Sequence, residues 1–235
     1  MIAPGFISRC VAILDNNPDI VLCDSLIFYI NESSNFIRNY NVHLHTDSPK
    51  INVRFHEFLA KHLYYPISGL IRSSALKIIP PQGGYGAADA IFLLRLAMLG
   101  NFYEIPEYLF FSRSHPKESL SILFPDYISF ANGNFKYTLD MLPDLYGYAK
   151  WLDSSNDESK LLFQHWRVFW EYLRSAWLLK MSFYERFCCH INIIKQFKGT
   201  ESLLFKDFII AAKILWRKYT KSKTLQAGDS QISEY

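Results

Sequence analysis

Long hydrophobic runs are missing from this chain. No window reaches the ~18 consecutive apolar residues that a bilayer-crossing helix needs, so no integral membrane segment is expected. The opening residues, Met1-Ile-Ala-Pro-Gly-Phe-Ile-Ser-Arg, lack a basic leader and a continuous apolar stretch, and do not read as a signal peptide. Excess charge of one sign is also missing. The 25 Lys and Arg against 22 Asp and Glu leave a formal net charge of +3. The cations are spread out except near the C-terminus, so no nucleic-acid partner is expected. Cysteine is scarce: Cys10, Cys23, Cys188 and Cys189, with no Cys-x-x-Cys spacing. These read as reduced core thiols of a cytoplasmic protein. There is no internal repeat.

Apolar surface is abundant. Half of the 235 residues are hydrophobic and 17% are aromatic. That is enough for a sizeable core in one large domain, or in a domain with an appendage. Residues 6–16 read as a helix, stopped by Asn16-Asn17-Pro18-Asp19. Ile20-Val21-Leu22-Cys23 reads as a buried strand, with a second apolar run over 26–30 after Asp24-Ser25. Asn31-Glu32-Ser33-Ser34-Asn35 is a turn cluster. Residues 36–49 read as polar and irregular, and 55–63 as a short helix. A strand or loop at 66–72 and a short helix at 73–78 follow. Residues 101–104 read as a turn and short strand and 109–111 as another, so the first 116 residues are mixed α/β. Residues 163–180, 183–197 and 203–219 read as helices, with Trp166, Trp170 and Trp177 expected in the core rather than as a sugar-stacking platform. Residues beyond 220 are polar and expected to fray.

One segment concentrates unusual features. The loop Gly83-Gly84-Tyr85-Gly86 delivers a single acid, Asp89, to the start of an otherwise apolar helix over 89–99, closed by Gly100 as a residue just past the helix end. Ile105-Pro106-Glu107 and Arg113-Ser114-His115-Pro116 follow. As a first-turn acid, Asp89 favours the helix by about 0.5–2 kcal/mol.

In this order and spacing the segment resembles inverting glycosyltransferases of family 2, with the GT-A fold. Pro66-Ile67-Ser68-Gly69-Leu70-Ile71-Arg72-Ser73-Ser74-Ala75-Leu76 is similar to the family's acceptor-side loop. Gly83-Gly84 with Ala88-Asp89 resembles its Gly-Gly…Glu-Asp element, with alanine in place of the glutamate. The helix, the Pro106-Glu107 strand and the later His115 follow in the family's order. Residues 6–24 resemble the helix and strand after its Asp-x-Asp motif. That motif occurs nowhere in this chain.

The resemblance implies a partial, Rossmann-like GT-A domain over residues 1–119 and a helical C-terminal region over 120–235, the last ~15 residues disordered. It implies transfer of a sugar from a nucleotide-sugar donor to a hydroxyl acceptor, with inversion, in a truncated form lacking the nucleotide-binding half. Asp89 is then the catalytic base. Gly69, Arg72, Gly83, Gly84 and Arg113 bind substrate, and His115 is a ligand to a divalent cation, Mn²⁺ or Mg²⁺. Read without the resemblance, Gly69 is a turn glycine, Arg113 a solvated loop cation and His115 a loop histidine. His43, His45, His56 and His62 show no ligand spacing and read as surface residues. The alternative function is a non-catalytic interaction module, pairing its sheet edge with a partner chain that supplies the missing half.

Residues 203–223 are rich in aromatics and end in a basic cluster. They read either as a terminal helix packed on its neighbours or as a peripheral contact at the membrane surface.

Overall fold

In the computed structural model, residues 1–40, 43, 46–61, 65–113 and 162–232 are described, with Lys61 and 221–232 as backbone alone. Helix α1 is Phe6–Asn16. It lays Phe6, Cys10 and Leu14 on the sheet, the i, i+4, i+8 stripe of an amphipathic helix. Strand β1 is Ile20–Ile30. The two apolar runs read from the sequence are thus one strand, because Asp24 and Ser25 continue the pleat. Strand β2, Phe36–Asn39, returns antiparallel, with Tyr29 opposite Arg38. This corrects the irregular reading of its first residues.

Helix α2, Ile51–Lys61, leads to a 3₁₀ turn at Tyr65–Ser68 and the short strand β3, Leu70–Ile71. Helix α3 is Ser73–Leu76, and α4 is Ala88–Leu99. Strand β4 runs without a break over Asn101–Arg113, where the sequence reading had two short strands. Three further helices follow: α5, Gln164–Ser175; α6, Phe183–Phe197; and α7, Glu201–Ile232.

The four-stranded sheet is mixed. A strand has two hydrogen-bonding edges. Parallel β4 takes one edge of β1, from Ile20 opposite Asn101 to Ile30 opposite Arg113. Antiparallel β3 and β2 share the other, at Leu22–Cys23 and Phe28–Ile30.

Two layers flank the sheet. α1 and the small cluster of Phe6, Cys10, Leu14, Ile20, Cys23, Ile105 and Leu109 cover one face. The main core lies on the other and joins Leu22 of β1, Phe55, Phe58 and Leu59 of α2, and Ile91, Leu94 and Met98 of α4. It continues through Val168 and Tyr172 of α5 and Cys189, Ile193 and Phe197 of α6. α4 is apolar nearly all round, as a helix buried between layers must be. Among the described residues no helix is long and apolar enough to cross a membrane.

The tryptophan expectation is corrected. Trp166, Trp170 and Trp177 are 37%, 66% and 60% exposed. α5 turns Val168, Tyr172 and Ser175 inward instead. The correction at Gly100 concerns its conformation. Its backbone is extended, and it is glycine because a Cβ would lie 2.5 Å from the Asp19 carbonyl and from Val21.

Candidate functional site

Asp89 enters from the N-terminal end of α4. Ala87 ahead of the helix is left-handed, with φ 57°, and no side chain caps the end. Asp89 accepts a 2.8 Å hydrogen bond at Oδ1 from the Ala90 N–H. Burial pushes its carboxyl above the ordinary range, and the backbone hydrogen bonds pull less strongly the other way. The acid is therefore a better base than a solvated aspartate.

Gly69 follows the 3₁₀ turn and lies flat on β1. A Cβ there would meet the Cys23 carbonyl oxygen at 2.7 Å and the Asp24 Cβ at 3.0 Å. Only glycine lets the loop come this close. The turn is fixed at its start by Tyr65, whose hydroxyl lies 2.5 Å from that of Tyr29 on β1, and it touches both β1 and α4.

Asp24 is the residue that sequence reasoning passed over. It sits beside Gly69 and opposite Glu104 across the β1–β4 ladder. Burial, reinforced by the Glu104 charge, holds its carboxyl well above the usual range. The signal was present as an acid inside an otherwise apolar strand. Glu104 is in turn met by His43, whose Nδ1 lies 2.7 Å from Oε1.

The expected cations have other partners. Arg72 donates from Nε to the Ile20 carbonyl at 2.9 Å, and from Nη2 to Leu14 at 2.6 Å and Asn17 at 3.0 Å. It closes the end of α1 and the entry to β1. Arg113 donates to the Asn31 carbonyl at 3.1 Å, to the Glu32 carbonyl and to Ser34 Oγ at 3.0 Å, clasping the β1–β2 turn.

Gly83 leaves room for the Tyr85 ring, which a Cβ would overlap. Arg167 lies over that ring, 4.9 Å from its centroid. Gly84 faces open space. His45, His62 and His115 lie outside the described residues. His56 is exposed. Among the described residues no group of three His, Cys, Asp or Glu side chains could hold a metal ion. The described part of the chain does not fit the divalent cation, and no step is derived through one.

The outer edge of β4 is largely used. Thr46 Oγ1 accepts from the Phe102 N–H at 2.9 Å and lies 3.2 Å from its carbonyl. Further on, the Ala3 N–H donates to Leu109 and the Phe111 N–H to Met1. Between them lies Pro106, which has no N–H to offer a new strand.

Cys10, Cys23 and Cys189 are buried and Cys188 half-buried, all as free thiols. Burial pushes the Cys189 thiol up to about 12, which makes it a poor nucleophile.

Compared with family models, with curated proteins and with solved structures, the chain matches none.

Proposed function

We propose that this chain forms the acceptor side of an inverting sugar-transfer site of the family-2 glycosyltransferase kind. The single observation that carries the reading is Asp89. It is a carboxylate made more basic by burial, in the first turn of the apolar helix α4. An inverting transfer needs one base to take the acceptor hydroxyl proton as the oxygen attacks the anomeric carbon. Asp89 takes that proton. The Gly69 loop and Asp24 shape the floor on which the hydroxyl-bearing acceptor rests. Arg72 and Arg113 act by holding the strand ends and the turn, not by touching substrate. The donor is an activated nucleotide sugar, and with no Asp-x-Asp motif in this sequence donor binding is assigned outside this chain.

The interaction-module reading needs an open strand edge. The described part of β4 offers mainly the stretch around Pro106, and β2, which among the described strands pairs with β1 alone, offers the other.

Titration separates the readings. The purified chain is titrated with a panel of short oligosaccharides, and separately with UDP and UDP-sugars in the presence of Mn²⁺. Oligosaccharide binding that weakens in Asp89→Asn supports the proposal. Absence of saccharide binding overturns it, and tight UDP–Mn²⁺ binding overturns the assignment of the donor elsewhere.

A further inference from the structure

Helix α7 has three faces where a packed terminal helix has two. At about 100° per residue, Leu203, Leu204, Asp207, Ile210, Ala211 and Ile214 form one stripe, and all are buried or half-buried. This stripe packs on α5. Asp207 is fully buried there. It takes the His165 and Trp166 N–H groups at 2.9 and 3.0 Å and meets His165 Nδ1 at 2.6 Å.

A second apolar stripe lies on the other side of the helix: Phe205, Phe208, Ile209, Ala212, Trp216 and Tyr219. Its spacing is again i, i+3, i+4, i+7. Phe205 is 65% exposed and Trp216 68%. Phe208 extends the stripe towards α5, its ring 6.0 Å from that of Trp166. The third face is cationic. Lys206, Lys213 and Arg217 are exposed in a row at i, i+7 and i+11.

We propose that α7 docks lengthwise on an anionic membrane surface, with the aromatic stripe in the headgroup layer and the cationic row against lipid phosphates. Charge decides between the possible occupants. From Phe205 to Thr220 every exposed ionised side chain is a cation, because the one acid of that stretch, Asp207, is buried in the contact with α5. A second copy pairing antiparallel through the same stripe would bring the two cationic rows to one side of the pair. An anionic surface neutralises them. Trp and Tyr favour the same layer, since their rings are apolar and their N–H and O–H groups reach water. The helix lies on the bilayer and does not cross it. The inference is independent of the sugar-transfer reading, since no residue near Asp89 takes part.

The test is vesicle co-sedimentation of the full chain. The expected result is binding to phosphatidylcholine–phosphatidylserine vesicles, release by added salt, and little binding to phosphatidylcholine alone. Trp216→Glu abolishes binding. Lys213→Glu with Arg217→Glu weakens it by at least about tenfold, while Lys213→Arg with Arg217→Lys keeps it. These side chains are exposed, and unchanged circular dichroism shows that the variants fold. Equal binding to both vesicle types, or no binding to either, overturns the proposal. So does a concentration-dependent dimer that Trp216→Glu dissolves, since the stripe would then belong to a second copy.

Discussion

Asp89 carries opposing demands. A first-turn acid is favoured by the helix dipole, but burial outweighs that and raises its carboxyl. Between the ordinary value of 3.8 and the higher folded value, the folded chain keeps a proton that the unfolded chain has lost. Stability therefore falls as pH rises through that window, and above it the whole cost is present. Asp89→Asn removes it. The variant should melt higher than the parent at neutral pH, with the gain disappearing below the ordinary carboxylate range. A lower midpoint at neutral pH would make Asp89 a structural cap instead. Asp89 was legible in the sequence because a lone acid at the head of an apolar helix is conspicuous. Asp24 was not singled out, because its importance comes from Gly69 and Glu104, which are far away in the chain. The hydrogen bonds of Arg72 and Arg113 to the carbonyls of Leu14, Asn17, Ile20, Asn31 and Glu32 were not legible, because those partners are far away in the chain.

At the scale of elements, local signals set what could be read. Both ends of α1 and α6 follow from the sequence. Asn-Asn-Pro stops α1, and Ser182 with Glu185 forms a capping box at the start of α6. β1 and β4 were each divided, because Asp24-Ser25 and Pro106 look like breaks. Pairing with a neighbouring strand overrides such local preferences. α5 was placed, but with its tryptophans facing inward. Its hydrophobic period fits two faces, and the packing partners choose one. The Gly69 loop gives this scale its prediction. Gly69→Ala places a methyl 2.7 Å from a backbone oxygen, which cannot swing away. It should cost about 1–3 kcal/mol in urea unfolding. Gly84→Ala meets open space and should stay within about 0.5 kcal/mol. Equal effects at the two positions would show that the loop is free to lift from β1.

For the whole molecule, the question is whether the C-terminal helices form a separate appendage or part of one core. Val168, Tyr172, Ala176, Cys189, Ile193 and Phe197 belong to the same buried cluster as Leu22, Phe55 and Ile91. The join is also polar. Arg95 in the middle of α4 is 3% exposed. It donates to Ser175 Oγ at 2.9 Å and to Glu171 Oε2 at 2.5 Å, both on α5. From α6, Glu185 accepts the Ile51 N–H at the start of α2. A shared core unfolds as a unit. The probes for this are well placed, because all five tryptophans lie after residue 150 and report on the C-terminal region alone. Tryptophan fluorescence should therefore change at the same urea concentration at which hydrogen exchange shows β1 and β4 opening. Arg95→Met leaves the Glu171 carboxylate with Arg174 alone, at 3.8 Å, and should cost about 1–3 kcal/mol. The decisive feature is how that loss is shared. In one cooperative unit both probes move to lower urea together. If the helices were an appendage, the fluorescence transition would shift and β1 and β4 would keep their protection.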